Sequence, residues 1–228
     1  MSARPIVSVL FLARDPAVVP LAASSVLRQQ YREVELLIGA MPGADAGLDA
    51  LLRDLAMQDA RVRQVDAVSW RDLLAAAQGD FVALQFERTE WLTGRLRAQC
   101  ALIETLGSSC AAVVGWSVRH VANTGSTMLR WPTLGEDAWV DVGALERGLP
   151  LLAMTGLFRR QALADAGLPG GNDPTPALTD WAHRFCERHR VASVSQFLTV
   201  VTEPRPAGAP APVGTLARWA TRLRKALR

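Results

Sequence analysis

Two short runs of residues have the chemistry of metal ligands. His183, Cys186 and His189 follow one another at steps of three in a segment with helical character. Steps of three drift around a helix by about 60°, so these side chains cannot converge well on one ion. Glu87 and Glu90 also lie three residues apart, in a segment typical of an exposed turn. Neither run predicts an ordinary metal site.

The composition is that of a packed, water-soluble chain. Half of the 228 residues are apolar and 21% are charged, which is enough for a sizeable core without disulfides. The three cysteines form no CxxC pair, and each lies among apolar neighbours. No apolar run approaches the roughly 18–20 residues that span a bilayer. The apolar run at 6–13 is too short for a secretory signal and lacks its basic lead and cleavage site, so we expect no such signal. We expect a cytoplasmic protein.

The distribution of charge separates the chain into a body and a tail. All 22 acidic residues lie between Asp15 and Glu203, and the 19 basic residues of positions 1–204 leave this body with a formal charge of −3. Residues 205–228 hold six basic residues and no acidic one. The body has no stripe of basic and aromatic residues, so we do not expect it to bind nucleic acid.

The first part of the body alternates between β-rich apolar runs and helical patterns. The predicted strands are 5–12, 34–39, 62–66 and 81–84, and the predicted helices are 19–30, 47–58 and 70–78. This alternation with short connections predicts a parallel sheet covered on both faces.

The second part continues with a helix after Trp91 and then becomes less regular. The predicted strands are 111–121 and 127–131, joined as a hairpin, with 151–157 extended and 191–201 closing the body. The predicted helices are 159–166, ended by Gly167, and 179–188.

Short motifs spread over residues 5–201 keep an order and spacing that resemble the inverting family 2 glycosyltransferases of the GT-A fold. They are PIVSVL at 5–10, SSVLRQQY at 24–31, ELLI at 35–38, DARVR at 59–63, AQGDFVAL at 77–84, Trp91, GLFRRQAL at 156–163 and TDW at 179–181. The resemblance implies a GT-A domain: a mostly parallel central sheet flanked by helices, with the donor site at the carboxyl ends of its strands.

The chain departs from this family where the family contacts its nucleotide sugar. Residues 12–15 (LARD) replace a Pro-x-Tyr-Asn motif, Ala40 stands at the first Asp after the second strand, and residues 86–88 (FER) replace the Asp-x-Asp metal motif. The positions that the resemblance assigns to nucleotide-sugar binding are Ala13, Arg14, Asp15, Ala40, Glu87 and Arg88.

These departures leave little with which to bind a divalent cation, which prefers several oxygen ligands. We therefore expect no metal and no other cofactor. A guanidinium carries a permanent charge and a fork of donors suited to phosphate, so Arg88 could replace the cation. Alternatively, Arg88 is a solvated loop residue or pairs with Glu87 or Glu90.

Asp180 is the candidate catalytic residue. The resemblance places it at the Asp of the family's Glu-Asp signature, which removes the proton from the acceptor hydroxyl. Thr179 stands in place of the preceding Glu. The alternative is that Asp180 stabilises the first turn of a helix through the helix dipole.

Two functions stay open at this stage. The resemblance implies a glycosyltransferase that moves a sugar from a nucleotide sugar to a glycan or lipid-linked acceptor, as in polysaccharide biosynthesis, without a normal metal site. The loss of the donor motifs favours an inactive GT-A domain that acts as a scaffold or regulator in glycan or cell-envelope assembly. Fold alone does not decide between an enzyme and a scaffold.

The predicted domains are a GT-A body at residues 1–203, a proline- and alanine-rich linker at 204–214 and a basic amphipathic helix at 215–228. One face of that helix is apolar around Trp219, and the other carries Arg218, Arg222 and Lys225. This pattern suits an anionic membrane surface, which would place the protein at the inner face of the membrane. The alternative is a helix that docks on protein.

Overall fold

A computed structural model describes residues 6–45, 47–121, 125–129, 139–140, 149–168 and 174–203. The strands are β1 Val7–Ala13, β2 Val34–Ala40, β3 Val62–Gln64, β4 Phe81–Gln85, β5 Thr89–Trp91, β6 Ala112–Val121, β7 Gly125–Leu129, β8 Leu157–Arg159 and β9 Val191–Glu203. The helices are α1 Val19–Leu27, α2 Leu48–Gln58, α3 Trp70–Ala76, α4 Arg95–Thr105, α5 Leu149–Thr155, α6 Arg160–Ala166 and α7 Pro174–Arg188. The predicted linker and basic helix lie outside the described residues.

The nine described strands form one mixed sheet in the order β3-β2-β1-β4-β8-β6-β9-β5, with β7 paired to the end of β6. β1, β2, β3 and β4 are mutually parallel, and β6 and β9 run in the same direction as these four. β5, β7 and β8 run the opposite way. This arrangement confirms the fold class predicted from the sequence.

Apolar side chains cover both faces of the sheet. Every residue of β1 is buried, and its side chains alternate between two cores. Val9 and Phe11 face the core under α1, α2 and α4, whereas Leu10 and Leu12 face the core under α3, α5, α6 and α7. A continuous apolar run is therefore the signature of a strand buried on both sides.

The structure corrects two predictions in the second part of the chain and adds an element. Residues 151–155 are helical rather than extended, because Leu149–Thr155 is helix α5, whose last turn closes with a hydrogen bond from Gly156 N to Leu152 O at 2.9 Å. Leu157, at the end of the predicted stretch, is the first residue of strand β8. An apolar run without alternation does not distinguish a buried helix from a buried strand. The last helix begins at Pro174 rather than at Thr179. β5 was not predicted, and it pairs antiparallel with β9.

Other predicted features are confirmed. β6 and β7 form the expected antiparallel hairpin, in which Val121 is paired with Gly125. Gly167 ends α6 with a φ of 72°, a left-handed conformation that glycine adopts without strain. Among the described residues, no helix is both long and apolar enough to cross a membrane.

A buried arginine joins the two halves of the sheet. Arg95, at the start of α4, is fully buried and has its guanidinium carbon 3.9 Å from the ring centre of Trp91. It donates to Met154 O at 3.1 Å, to Gly156 O at 3.1 Å and to Thr199 Oγ1 at 2.9 Å. Burial lowers the pKa of Arg95 to about 9, so the side chain stays charged at neutral pH.

Two buried glutamines extend this polar contact. Gln99, one turn along α4, accepts from Arg95 Nε at 3.2 Å and donates to Val113 O and Thr155 O. Gln29 accepts from Leu96 N at 3.1 Å and donates to Leu92 O at 2.9 Å. The start of α4 is thereby fixed to β6, to the α5–β8 connection and to the end of α1.

Arg95→Met should destabilise the protein. The variant keeps an unbranched side chain in the core but leaves the carbonyls of Met154 and Gly156 without their donor, at about 1–3 kcal/mol for each buried carbonyl. We expect the free energy of unfolding in urea to fall by at least about 2 kcal/mol. Arg97→Met, at an exposed position of the same helix, should cost less than about 0.5 kcal/mol. Equal losses in the two variants would contradict the role of Arg95.

Candidate functional site at the carboxyl edge of the sheet

The carboxyl ends of β1, β2 and β4 meet at one edge of the sheet. Ala13, the last residue of β1, lies opposite Ala40, the last residue of β2, and Met41 N donates to Ala13 O at 2.7 Å. Phe11 lies opposite Gln85 at the end of β4. Ligands of open α/β sheets bind at such an edge. The structure therefore brings together six of the residues singled out in the sequence, namely Ala13, Arg14, Asp15, Ala40, Glu87 and Arg88.

Glu87 connects two of these strand ends. Its Oε1 accepts a hydrogen bond from Arg14 N at 2.5 Å and another from Asp15 N at 2.7 Å. The carboxylate of the turn after β4 therefore lies on the backbone of the loop after β1. The carboxylate of Asp15 is bound within its own turn, where Oδ1 accepts from Ala17 N at 2.9 Å.

Hydrogen bonds from buried residues and from β9 hold the turn that carries Glu87 and Arg88. Gln85 is fully buried, and its Nε2 donates to Phe86 O at 2.9 Å and to Thr89 O at 2.7 Å. Thr89 N and Thr89 Oγ1 also donate to Phe86 O. Arg88 O accepts from Thr202 N at 2.8 Å, which ties the turn to β9. The backbone of residues 86–89 is thus well supported.

Phe86 packs on Trp70 at the same edge. Their ring centres lie 5.4 Å apart, and the ring planes are inclined at 49°. Trp70 is the first residue of α3, whose start is capped by the hydroxyl of Ser69, which accepts from Asp72 N. The hydrogen bond from Ser69 Oγ lowers the pKa of Asp72 and keeps it charged at the helix start. Residue 86, which the resemblance aligns with the first aspartate of the metal motif, therefore forms an aromatic contact.

Arg14 and Arg88 supply the positive charge of this edge. Both side chains are exposed. Within the part of the chain that the structure describes, neither guanidinium forms an ion pair: the ion pairs there are Arg28–Glu90, Arg61–Asp59 and Arg63–Glu35. The exposure of Arg88 agrees with the sequence-based alternative of a solvated loop residue, and no ion pair of Arg88 with Glu87 or Glu90 is present among the described residues. Both guanidinium groups are available to an anion.

The residues at this edge do not fit a divalent metal ion. Such an ion needs several oxygen ligands, whereas positions 86 and 88 hold an aromatic ring and a cation. The one carboxylate between them already accepts two backbone hydrogen bonds through Oε1. Over the described residues, no group of three or more His, Cys, Asp and Glu side chains could together hold a metal ion.

The second run of candidate metal ligands consists of His183 and Cys186 on α7 and His189 directly after it. On α7, Cys186 is buried and His183 is exposed. Burial raises the pKa of the Cys186 thiol to about 11, which disfavours the thiolate that a metal would require. His189 packs on the ring of Phe185 at a centre distance of 4.8 Å. The three side chains have different surroundings along the helix.

Asp180 lies on the exposed side of α7 next to a buried aromatic cluster. Trp181 packs on Phe158 at 5.6 Å and donates from Nε1 to Gly167 O at 2.7 Å. Because α7 begins at Pro174, Asp180 falls in its second turn. The interaction of a charge with the helix dipole fades beyond the first turn. The alternative role of Asp180 as a first-turn residue is therefore wrong.

Two cavities, neither of them predicted from the sequence, lie at opposite edges of the sheet: one at the carboxyl edge and one at the amino end of β4, where Arg159 pairs with Phe81. One, of about 550 Å³, lies beyond the ends of β2 and β3 and is lined by Ala40, Asp49, Arg53, Gln64 and residues 65–68. The other, of about 690 Å³, lies between α3 and α6 and includes Arg71 and Arg160. The lining of each cavity comes from several separate elements, so no short sequence motif predicts either cavity.

No protein-family model matches the chain, and neither does any curated protein. Among solved structures, S. aureus TarS 1–349 is similar with a TM-score of 0.67 and 14% identity, over 86% of this chain and 60% of that one. Its complex with UDP-GlcNAc gives a TM-score of 0.64 at 12% identity, over 90% and 62%. Mannosyltransferase PcManGT from Pyrobaculum calidifontis, in complex with GDP-Man and Mn²⁺, gives 0.57 at 14% identity, over 99% and 62%.

These similarities establish the class of fold, which is the GT-A fold expected from the sequence. The chain spans about 60% of the length of these structural neighbours. At this level of identity, the comparison shows the fold but not the particular reaction, because function depends on the residues of the site.

Proposed function

We propose that the protein is a glycosyltransferase that binds a nucleotide sugar at the carboxyl edge of β1, β2 and β4 without a divalent metal. The observation that carries this proposal is a pair of exposed arginines, Arg14 and Arg88, that have no ion-pair partner among the described residues and lie at the ligand-binding edge of a GT-A sheet. Structural neighbours of this chain in complex with UDP-GlcNAc, UDP and GDP-Man support a nucleotide sugar as the ligand.

Arg88 would stabilise the leaving group of the reaction. In a single inverting displacement, the acceptor oxygen bonds to the anomeric carbon while the bond from that carbon to the nucleoside diphosphate breaks. Negative charge develops on the diphosphate, and a guanidinium can meet it with two parallel hydrogen bonds. The cavity lined by Ala40, Arg53 and Asp66, at the same edge of the sheet, would provide room for the nucleoside.

Asp180 is proposed as the base that takes the proton from the acceptor hydroxyl. Its side chain is exposed on α7, which leaves the carboxylate open to an acceptor hydroxyl. The proposed acceptor is a glycan or a lipid-linked saccharide. Such an acceptor would have to reach both Asp180 and the sugar.

Donor binding should resist EDTA and depend on Arg88. We expect calorimetry with a panel of UDP and GDP sugars to show the same dissociation constant in EDTA and in Mn²⁺. Arg88→Ala should weaken binding roughly ten- to a hundredfold, because the variant loses one hydrogen bond between charged groups. Arg32→Ala is the matched control, because Arg32 is exposed before the amino end of β2, at the opposite edge of the sheet. Binding that EDTA abolishes would contradict the proposal.

Asp180→Asn should separate catalysis from binding. Removal of a general base lowers turnover by on the order of 100-fold or more, and the donor dissociation constant should stay unchanged. Glu187→Gln, at an exposed position of the same helix, should retain full turnover. An Asp180→Asn variant with normal turnover would exclude this residue as the base.

An inactive domain is the second candidate function. The aromatic contact between Phe86 and Trp70 at the metal-motif position favours it. A chain that binds nucleotide sugars tightly but turns none of them over with any glycan or lipid-linked acceptor would support this function. A scaffold of this kind would retain the donor site as a regulatory site.

We also propose that residues 215–228 attach the body to an anionic membrane surface. The six basic residues after position 204 would each contribute on the order of 1 kcal/mol near such a surface. The full chain should float with vesicles that contain anionic lipid and should be released by salt, whereas a chain ending at Glu203 should not float. Equal flotation of both chains would overturn this assignment.

A further inference from the structure

The carboxylate of Glu87 lies where the phosphate of a ligand could lie. We propose that the backbone amides of Arg14 and Asp15, with the guanidinium groups of Arg14 and Arg88, form a phosphate subsite that Glu87 fills in the free protein and leaves when a diphosphate binds. Glu87 is then an internal competitor of the ligand. In naming the diphosphate as that of a sugar donor, this inference rests on the proposed function.

The geometry of the two amides supports an anion subsite. Arg14 N and Asp15 N are consecutive, and both donate to the same atom, Glu87 Oε1. Successive backbone amides that converge on one point form a concave site with a preference for anions. One anionic oxygen occupies that point at a time. The carboxylate and a phosphate oxygen therefore exclude each other.

The surrounding charges favour exchange for a more highly charged anion. Arg14 and Arg88 are exposed cations without an ion-pair partner among the described residues. The carboxylate of Asp15 accepts from Ala17 N and is held in its own turn. A diphosphate offers more charge and more oxygens than one carboxylate. A diphosphate can contact the two amides and both guanidinium groups at the same time, whereas the described hydrogen bonds of Glu87 are only those to the two amides.

The exchange requires movement of one side chain only. Glu87 is half-buried, and its described hydrogen bonds are those to the two amides. The backbone of the turn is fixed independently by Gln85, by Thr89 and by the hydrogen bond from Thr202 to Arg88 O. Rotation of the Glu87 side chain would open the amides while Arg88 stays in place.

The test is calorimetry in EDTA with two probes, inorganic pyrophosphate and UDP. Glu87→Ala frees the amides and should bind both probes at least about tenfold more tightly than the wild type, because the ligand no longer competes with charged hydrogen bonds. Glu87→Gln should give an intermediate gain, since its amide oxygen accepts the same bonds without the charge. Glu90→Ala is the matched control and should change affinity less than about twofold, because exposed charge pairs contribute little.

A second measurement covers the case in which Glu87→Ala disturbs the loop after β1. Titration of the wild-type protein with pyrophosphate should shift the NMR signals of the Arg14 and Asp15 amides in a saturable way. Equal or weaker binding by a folded Glu87→Ala variant, or amide signals that do not respond while the ligand binds, would overturn the inference.

The outcomes for the two proposals are distinguishable. If pyrophosphate binds and Glu87→Ala tightens it, but no nucleotide sugar binds to any variant, the phosphate subsite stands and the proposed function fails. If nucleotide sugars bind and react while Glu87→Ala gives no gain for either probe, the proposed function stands and the subsite fails.

Discussion

The buried charge of Arg95 is the constraint on which the arrangement of the two halves of the sheet depends. A cation without a buried carboxylate partner is stable only where carbonyls, hydroxyls and an aromatic face surround it. Arg95 finds these in Met154 and Gly156, in Thr199 and in Trp91. Met154 O lies in the last turn of α5, where a positive charge is favourable.

This constraint extends to the functional edge. Leu157, which follows the residues held by Arg95, pairs with Ala83 of β4, so the α5–β8 connection lies beside the carboxyl end of β4. The turn after β4 carries Glu87 and Arg88. A buried hydrogen-bond network thus supports the carboxyl edge from one side, and the loop after β1 supports it from the other.

Arginine side chains and a bound metal ion are two different means of stabilising the negative charge of a diphosphate. A metal must be collected from solution by carboxylates that repel one another when it is absent. Arginine is always charged, so a site built on Arg14 and Arg88 needs no such cluster. Without a bound anion, such a site carries excess positive charge. The carboxylate of Glu87 offsets part of this charge and accepts the hydrogen bonds of the Arg14 and Asp15 amides.

The sequence predicted those parts of the fold that local pattern determines. The β-rich run of β1 and the motif that ends in β4 gave the parallel strands, and with them the edge at which Ala13, Ala40 and Arg88 meet. α5 was assigned wrongly because an apolar run has no period that separates helix from strand. The contact between Glu87 and Arg14 spans 73 residues and has no local signal. The apolar spacing of Leu96, Cys100 and Ile103 could have flagged Arg95, which lies on the same buried face of α4.

We infer that fixed positive charge and backbone amides, rather than a metal, hold the diphosphate at the carboxyl edge. A crystal structure of the chain grown with UDP in the presence of EDTA tests it most directly. We expect diphosphate oxygens within hydrogen-bond distance of the Arg88 guanidinium and of the Arg14 and Asp15 amides, with the Glu87 side chain turned away. A diphosphate bound elsewhere, or bound only through Mn²⁺ and carboxylates, would contradict it.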